Sequence, residues 1–259
     1  MIPPLLASDL LAPLPHGFFT REGGVSEGEF ASLNCSLNSG DEVWRLAENR
    51  ARVAAALGVA PACLLGLRQV HGTHCVRVEK PWAAGEGPQA DAMATRIPGL
   101  ALGIITADCA PVLFADPVAG VVGAAHAGWR GAVAGILEET VAAMASLGAE
   151  AGRLVVAIGP CIGPGSYEVG LDLRDAVLAA GGVAAEDVFA PGRRPDHFQF
   201  DLPGYCLARL RAAGVQRAAW IGRDTLPDEA RFFSHRRRTL AGGGRIGHQI
   251  SAITCRRAA

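Results

Sequence analysis

Cys109 and His126 are the residues from which chemistry could start. They lie in Thr106-Ala-Asp-Cys-Ala-Pro-Val-Leu-Phe-Ala-Asp-Pro-Val-Ala-Gly-Val-Val-Gly-Ala-Ala-His-Ala-Gly-Trp-Arg-Gly131, which reads as strand, turn, strand and the opening of a helix. Asp116-Pro117 and Gly120 mark the turn, because these residue types favour tight bends and positive φ. Cys109 stands eight and a half positions before the midpoint of Pro117 and Val118, and His126 eight and a half after it. Symmetric pairing about that point predicts that the two face each other, with Cβ atoms roughly 4.5–5.5 Å apart. A thiolate and an imidazole so placed can share one metal ion or form a nucleophile pair. Pro111 lacks the N–H a ladder uses and points to a bulge or an edge strand. A slip of one residue would turn one partner to the other face.

Other side chains could join them. His71 sits in Gln69-Val-His-Gly72 beside a glycine that lets backbone approach a ligand, and His74 follows closely. Asp108 is the nearest acid–base candidate, although strict alternation points it away from Cys109. Gly128-Trp-Arg-Gly131 leads into a helix whose free N–H groups, with Arg130, suit an anion such as phosphate. The competing reading makes Trp129 core and Arg130 an ordinary surface charge. Phe232-Phe-Ser-His-Arg-Arg-Arg238 is either a solvated basic face or, through Ser234 and Arg236, a grip on phosphate or carboxylate. Cys161 reads as a small buried hydrophobe before a reactive thiol.

The elements that must hold these residues follow from pattern. A helix is expected over residues 42–57, with Asp41 as N-cap, Gly58 as stop, and Val43, Leu46, Val53 and Leu57 inward; Asn49 and Arg50 are its only positions with a polar duty. Residues 64–78 read as a strand pair or one bulged strand around Gly72, and residues 131–147 as an alanine-rich helix stopped by Gly148. Strands near 153–158, 198–200, 218–221 and 246–254 and helices near 171–180 and 202–213 complete the chain. Half of the 259 residues are apolar and 19% are charged, ample for a core, and no repeat or linker interrupts them, so one domain over residues 1–259 is expected. A formal net charge of −1 gives no electrostatic reason to expect nucleic acid or an anionic membrane. The start, Met1-Ile-Pro-Pro, has no basic region of a signal peptide, and the seven scattered cysteines do not form a disulfide pattern. A reducing cytoplasm is the expected compartment.

Taken together, Thr20-Arg-Glu-Gly-Gly-Val-Ser26, Leu33-Asn34, Gln69-Val-His-Gly72, Ala90-Asp-Ala92, Thr106-Ala-Asp-Cys109, His126-Ala-Gly-Trp-Arg-Gly131, Gly159-Pro-Cys-Ile-Gly163, Phe233-Ser-His-Arg-Arg237 and Gly244-Arg-Ile-Gly247 run in order over nearly the whole chain. The set resembles the YfiH-like family, known first as multicopper polyphenol oxidoreductases (laccases) and later as purine nucleoside phosphorylases. The resemblance implies an α+β domain of layered mixed sheets flanked by helices. It also implies a zinc site of His71, Cys109 and His126. One departure is Asp224-Thr225, where relatives often carry Cys-Thr.

Three protein ligands leave the fourth tetrahedral position open, as in catalytic zinc sites. The resemblance implies phosphorolysis of adenosine, inosine and S-methyl-5′-thioadenosine, and adenosine deamination. Zinc, which lowers the pKa of a bound water, suits the second reaction; Arg130 and Arg236 are the anion-clamp candidates for the first. Zinc is the expected ion, with copper able to compete by affinity. Nucleoside and phosphate are the expected partners of a monomer. Two other readings stand beside this one: a Cys109–His126 hydrolase or editing factor for peptidoglycan precursors, and a copper-dependent polyphenol oxidase. The last is disfavoured, because multicopper centres need many histidines and the chain has seven in all.

Overall fold

The computed structural model describes residues 2–181 and 185–255; strands and helices are numbered in chain order. The hairpin lies at its middle. β7 (Ala110–Asp116) and β8 (Val121–Ala127) pair antiparallel, and every residue of both is buried. Continuous apolar runs of this kind are what a strand covered on both faces requires. With β9 (Val155–Ile158), β13 (Arg217–Trp220), β5 (Ala92–Thr95) and β4 (Cys75–Arg77) they form a six-stranded mixed sheet in the order β13-β9-β7-β8-β5-β4.

The two faces of that sheet meet different neighbours. Leu113, Ala115, Val122, Ala124, Val155 and Ala157 pack with Leu102, Ile104 and Ile253 of a second sheet. That sheet has the order β1-β2-β14-β6-β3, from β1 (Leu5–Leu6), β2 (His16–Phe19), β14 (Gln249–Thr254), β6 (Ala101–Thr106) and β3 (Leu64–Leu65). The alternate residues Val112, Phe114, Ala125, Val156 and Ile158 pack with side chains of α3 (Ile136–Ser146) and α5 (Leu202–Ala212). On the outer face of the second sheet, Val53 and Ala54 of α1 (Val43–Ala56) cluster with Phe19, Ile250 and Ala252. The layers therefore run helix, sheet, sheet, helices. A three-stranded sheet of β10 (Glu168–Gly170), β12 (His197–Phe200) and β11 (Phe189–Pro191), with α4 (Leu171–Ala180), flanks the helical side. This is the expected α+β architecture of layered mixed sheets and flanking helices. No helix among the described residues is long and apolar enough to cross a membrane.

Several expectations need correction. The strand expected to be bulged or at an edge, β7, is central. Pro111 is tolerated because its partner His126 turns its own N–H away, to the Asp91 carbonyl at 2.7 Å, so the β8 side asks no donor of Pro111. The helix expected over 131–147 is two helices, α2 (Trp129–Ala134) and α3, broken at Gly135 with φ 107°. α1 begins one residue late, and Asp41 is not its cap; its Oδ2 instead accepts from Ser26 Oγ and Asn34 Nδ2. Val43 is 81% exposed and not core. Residues 64–78 divide between β3 and β4, which belong to different sheets.

The hairpin register also differs. Asp116 pairs with Val121 around the four-residue turn Pro117–Gly120, in which the Asp116 Oδ1 accepts the N–H groups of Val118 and Ala119. The centre of the hairpin is thus one residue further on, and Pro111, not Cys109, lies opposite His126. Cys109 falls two positions along, on the same face and diagonal to the imidazole.

Candidate metal centre

Asp91, immediately before β5 and wholly buried, organises the site. Its Oδ1 accepts from the His71 N–H at 2.9 Å, and its Oδ2 from those of Val70 at 3.2 Å and Gly72 at 2.7 Å. Three successive donors on one carboxylate fold the loop after β3 into a nest and hold His71 at φ 61°, a left-handed conformation few side chains adopt unaided. The same Oδ1 accepts from His126 Nδ1 at 2.8 Å. A carboxylate only accepts, so Nδ1 carries the proton and Nε2 is the atom left to bind something else. These donors hold the Asp91 carboxyl below the usual range even though burial opposes ionisation.

Cys109 enters the same space from the residue before β7, where Asp108 turns the chain at φ 89°. Its Sγ lies 4.0 Å from His71 Nε2, and the His71 and His126 rings meet edge to face at 4.6 Å. One donor atom from each of the three residues lies within 4.8 Å of the other two. Gly128 makes the closure feasible: a Cβ there would sit 3.0 Å from both Cys109 Sγ and His71 Cδ2. Burial pushes the Cys109 thiol up, but the His126 charge and hydrogen bonds from both imidazoles outweigh it and bring it down to about 6. His126 moves the other way, upward against its own burial, toward the Cys109 thiolate and Asp91. Among the described residues this is the one cluster of three such groups.

The donor set fits a metal. Tetrahedral zinc with bonds of about 2.0–2.3 Å needs ligand atoms about 3.3–3.6 Å apart, so the Cys109–His71 pair, 4.0 Å apart, would close by a few tenths of an ångström. The thiol is already biased to its anion, and a carboxylate fixes the tautomer of one imidazole, the usual second layer of a metal site. His71 is exposed, Cys109 half-buried and His126 buried, so the unliganded side faces outward.

The other expected residues border this cluster unequally. Asp108 does not reach toward the metal ligands. Its Oδ1 accepts from Thr225 Oγ1 at 2.5 Å, and its Oδ2 from Ser234 Oγ at 3.0 Å and the Arg236 N–H at 2.6 Å. Ser234 is buried and caps α6 (His235–Leu240), accepting from the Arg237 N–H, so its hydroxyl is committed at both ends. Arg236 gives one nitrogen to the Glu168 carbonyl and lies 5.4 Å from the Tyr167 ring. Tyr167 itself feels Cys109, Asp108, Arg236 and Arg130, and burial raises its phenol far above the ordinary value. Arg130 is exposed, stacked on Trp129 at 4.6 Å, and makes no ion pair among the described residues. His74 is exposed and outside the cluster, and Cys161 is a buried thiol pushed upward by burial. Asp224, at the departure noted above, accepts from Ser166 Oγ and the Leu226 N–H. Residue types alone missed the role of Asp91, whose signal was a short acidic residue between two alanines at a loop–strand junction, and of Tyr167, which had none.

A layered α+β fold with an outward-facing His–Cys–His centre defines the class of protein. The comparisons make it specific: residues 15–256 match the model of the family described as multi-copper polyphenol oxidoreductase laccase, and the chain belongs to this YfiH family. A protein of Deinococcus radiodurans named purine nucleoside phosphorylase is 45% identical over 236 residues, 90% of this chain and 87% of the relative. The Escherichia coli purine nucleoside phosphorylase YfiH is 38% identical, over 86% of this chain and 88% of its own. The crystal structure of YlmD from Geobacillus stearothermophilus superposes with a TM-score of 0.87 at 33% identity, covering 96% of this chain and 94% of that one.

Proposed function

We propose that this chain is a zinc-dependent purine nucleoside phosphorylase that also deaminates adenosine, with adenosine, inosine and S-methyl-5′-thioadenosine as substrates. The observation that carries the reading is the three-ligand centre open on its His71 side and bordered by Arg130, Arg236 and Tyr167. Relatives named purine nucleoside phosphorylase, such as those at 45% and 36% identity, support the phosphorylase part of the reading.

In phosphorolysis a phosphate oxygen bonds to the ribose C1′ while the C1′–N9 bond breaks, its electron pair leaving with the purine, which takes up a proton. Arg130, with no carboxylate partner among the described residues, and Arg236 would hold the phosphate by charge-assisted hydrogen bonds. Asp108 and Ser234 act one step behind: they fix the first turn of α6 and so aim Arg236, which makes them positioning residues. Tyr167 stays protonated and offers a neutral donor to bound nucleoside. Asp91 keeps the His126 Nε2 and the His71 loop in place. A zinc ion held by His71, Cys109 and His126 would supply a Lewis acid and a water of lowered pKa, the chemistry deamination at purine C6 needs. A thiolate with two imidazoles suits zinc, and copper could compete by affinity; one three-ligand cluster does not match a multicopper centre.

The second reading has its own support, since Cys109, His126 and Asp91 also make a thiolate–imidazole–carboxylate array of the kind nucleophilic hydrolases use. It would suit an editing hydrolase for peptidoglycan precursors. The deciding experiment is to incubate metal-defined protein with inosine or adenosine, with and without phosphate, and to identify the products. Phosphate-dependent release of free purine supports phosphorolysis; inosine from adenosine without phosphate supports deamination. Neither product from zinc-loaded protein would leave the hydrolase reading ahead.

A further inference from the structure

Arg50, one of the two polar residues on the inward face of α1, has no place in the chemistry above. It is only 7% exposed, set in the layer between α1 and the five-stranded sheet, beside Cys35 and Leu64. Its neighbour Asn49 has an evident structural task, bonding to the Val25 N–H, Ser26 Oγ and the Ser32 and Asn34 carbonyls. Arg50 makes a single hydrogen bond among the described residues, from Nη2 to the Leu64 carbonyl at 2.8 Å, and no ion pair. A guanidinium remains charged under all ordinary conditions, so burial without a carboxylate leaves a positive charge uncompensated. Cys35 does not compensate it, because burial, only partly offset by Arg50, pushes that thiol up to about 12.

The guanidinium borders a cavity of about 120 Å³ lined by Cys35, Asn38, Arg50, Arg68 and Gln69, with four glycines where backbone comes close. Two arginines and no carboxylate line it; Glu86 belongs to the same turn as Gly85 and Gly87 but is not part of the lining. Arg68 is exposed at the mouth, where its only side-chain partner among the described residues is the neutral Gln89 amide. A Cβ on Gly66 would stand 3.4 Å from Arg50 Nη2, so the glycine keeps the guanidinium face clear. The room exceeds what a few waters need and admits a tetrahedral oxyanion. Gln69, in the same lining, clasps the Ile105 backbone through both its amide atoms, two residues before the metal ligand His71.

We propose that the cavity between α1 and the loop after β3 is a binding site for a phosphate-bearing small anion, held between Arg50 and Arg68 and separate from the metal centre. Inorganic phosphate and a sugar phosphate share the chemistry that these arginines recognise, bidentate N–H donors to a dianion. The site does not depend on which reaction the metal centre runs.

The test is calorimetric titration of zinc-loaded protein with inorganic phosphate, at fixed ionic strength and without nucleoside, with a parallel titration by ribose 5-phosphate. Doubly substituted Arg130→Ala/Arg236→Ala protein lacks the clamp assigned to phosphorolysis and should still bind phosphate. Added to that double variant, Arg68→Ala, at an exposed position, should weaken the remaining phosphate binding at least tenfold, and Arg50→Gln should abolish it. Phosphate should also slow amide hydrogen exchange in residues 64–69. If Arg50→Gln does not fold, Arg68→Ala decides alone. Loss of all phosphate binding in the double variant, or no further weakening when Arg68→Ala is added to it, overturns the proposal. Ribose 5-phosphate displacing phosphate assigns the cavity to esters; failure to displace it assigns the cavity to the free ion.

Discussion

Replacing Asp91 by Asn tests the centre through a residue that touches neither metal nor substrate. The carboxylate accepts four hydrogen bonds, two per oxygen. An asparagine keeps one acceptor oxygen and turns an NH2 group toward the other pair of donors, so two N–H groups lose their partner. Hydrogen bonds to a charged group contribute about 1.5–3 kcal/mol each, so unfolding free energy should fall by about 3–6 kcal/mol. The loss should depend on pH. Asp91 titrates below the unfolded carboxylate, near 3.9, so its contribution is complete above that value and disappears as pH falls through the lower folded one. Wild type and variant should therefore differ fully at pH 7 and converge in acid. Zinc should bind 10–100-fold more weakly, the range for a lost outer-layer partner, equivalent to about 1.4–2.7 kcal/mol. Urea melts across pH and competition against a chromophoric chelator measure both effects. A folded Asp91→Asn protein with wild-type zinc affinity would show that neither His126 nor the His71 loop needs this carboxylate, and the argument would fail.

Cys109→Ala should remove zinc while costing only about 1–2 kcal/mol of stability; full zinc content in the folded variant would make the thiol a nucleophile and not a ligand. Gly128→Ala has an ordinary backbone but would push a Cβ to 3.0 Å from both Cys109 Sγ and His71 Cδ2, so zinc affinity should drop about tenfold with little change in a thermal melt of metal-free protein. In metal-free protein, alkylation by iodoacetamide should rise with pH through a midpoint near 6 and map to Cys109, where an ordinary thiol turns over near 8.5; zinc should abolish the reaction. A midpoint above 8 would contradict the thiolate–imidazolium pair. Arg130→Ala should raise the KM for phosphate severalfold and leave zinc content unchanged; an unaltered phosphate dependence would remove Arg130 from the clamp.

How far the sequence could be read depended on the length scale of each signal. Buried strands and amphipathic helices were legible because burial imposes a pattern on many residues at once: Val112–Ala115 and Val155–Ile158 are apolar throughout since both faces are covered. Single-residue events were not. Val43 fits the helical stripe of α1, yet it is the first residue of the helix, outside the cluster that holds Val53 and Leu57, and stays in water. The break at Gly135 is invisible to periodicity, since α2 and α3 each keep their own inward face. Asp108 and Ser234 drew attention as polar residues in motifs, but polar side chains at a site are as often consumed by the backbone that builds it, as the Arg236 and Arg237 N–H groups show.

The hairpin explains why a wrong register still pointed to the right cluster. Moving its centre by one residue, from the midpoint of Pro117 and Val118 to that of Val118 and Ala119, shifts every pairing by two. Side chains on a strand repeat with period two, so the shift preserves faces and exchanges an opposite neighbour for a diagonal one. Cys109 and His126 therefore stay on one side of the sheet, but with a wider gap than an opposite pair would have. That gap leaves room for an ion between them and for a third ligand, and His71 arrives there at 4.0 Å from the sulfur on a loop tied to Asp91. Had the turn been one residue longer or shorter, the pairing would have moved by one, and thiol and imidazole would lie on opposite faces with no common ligand to hold.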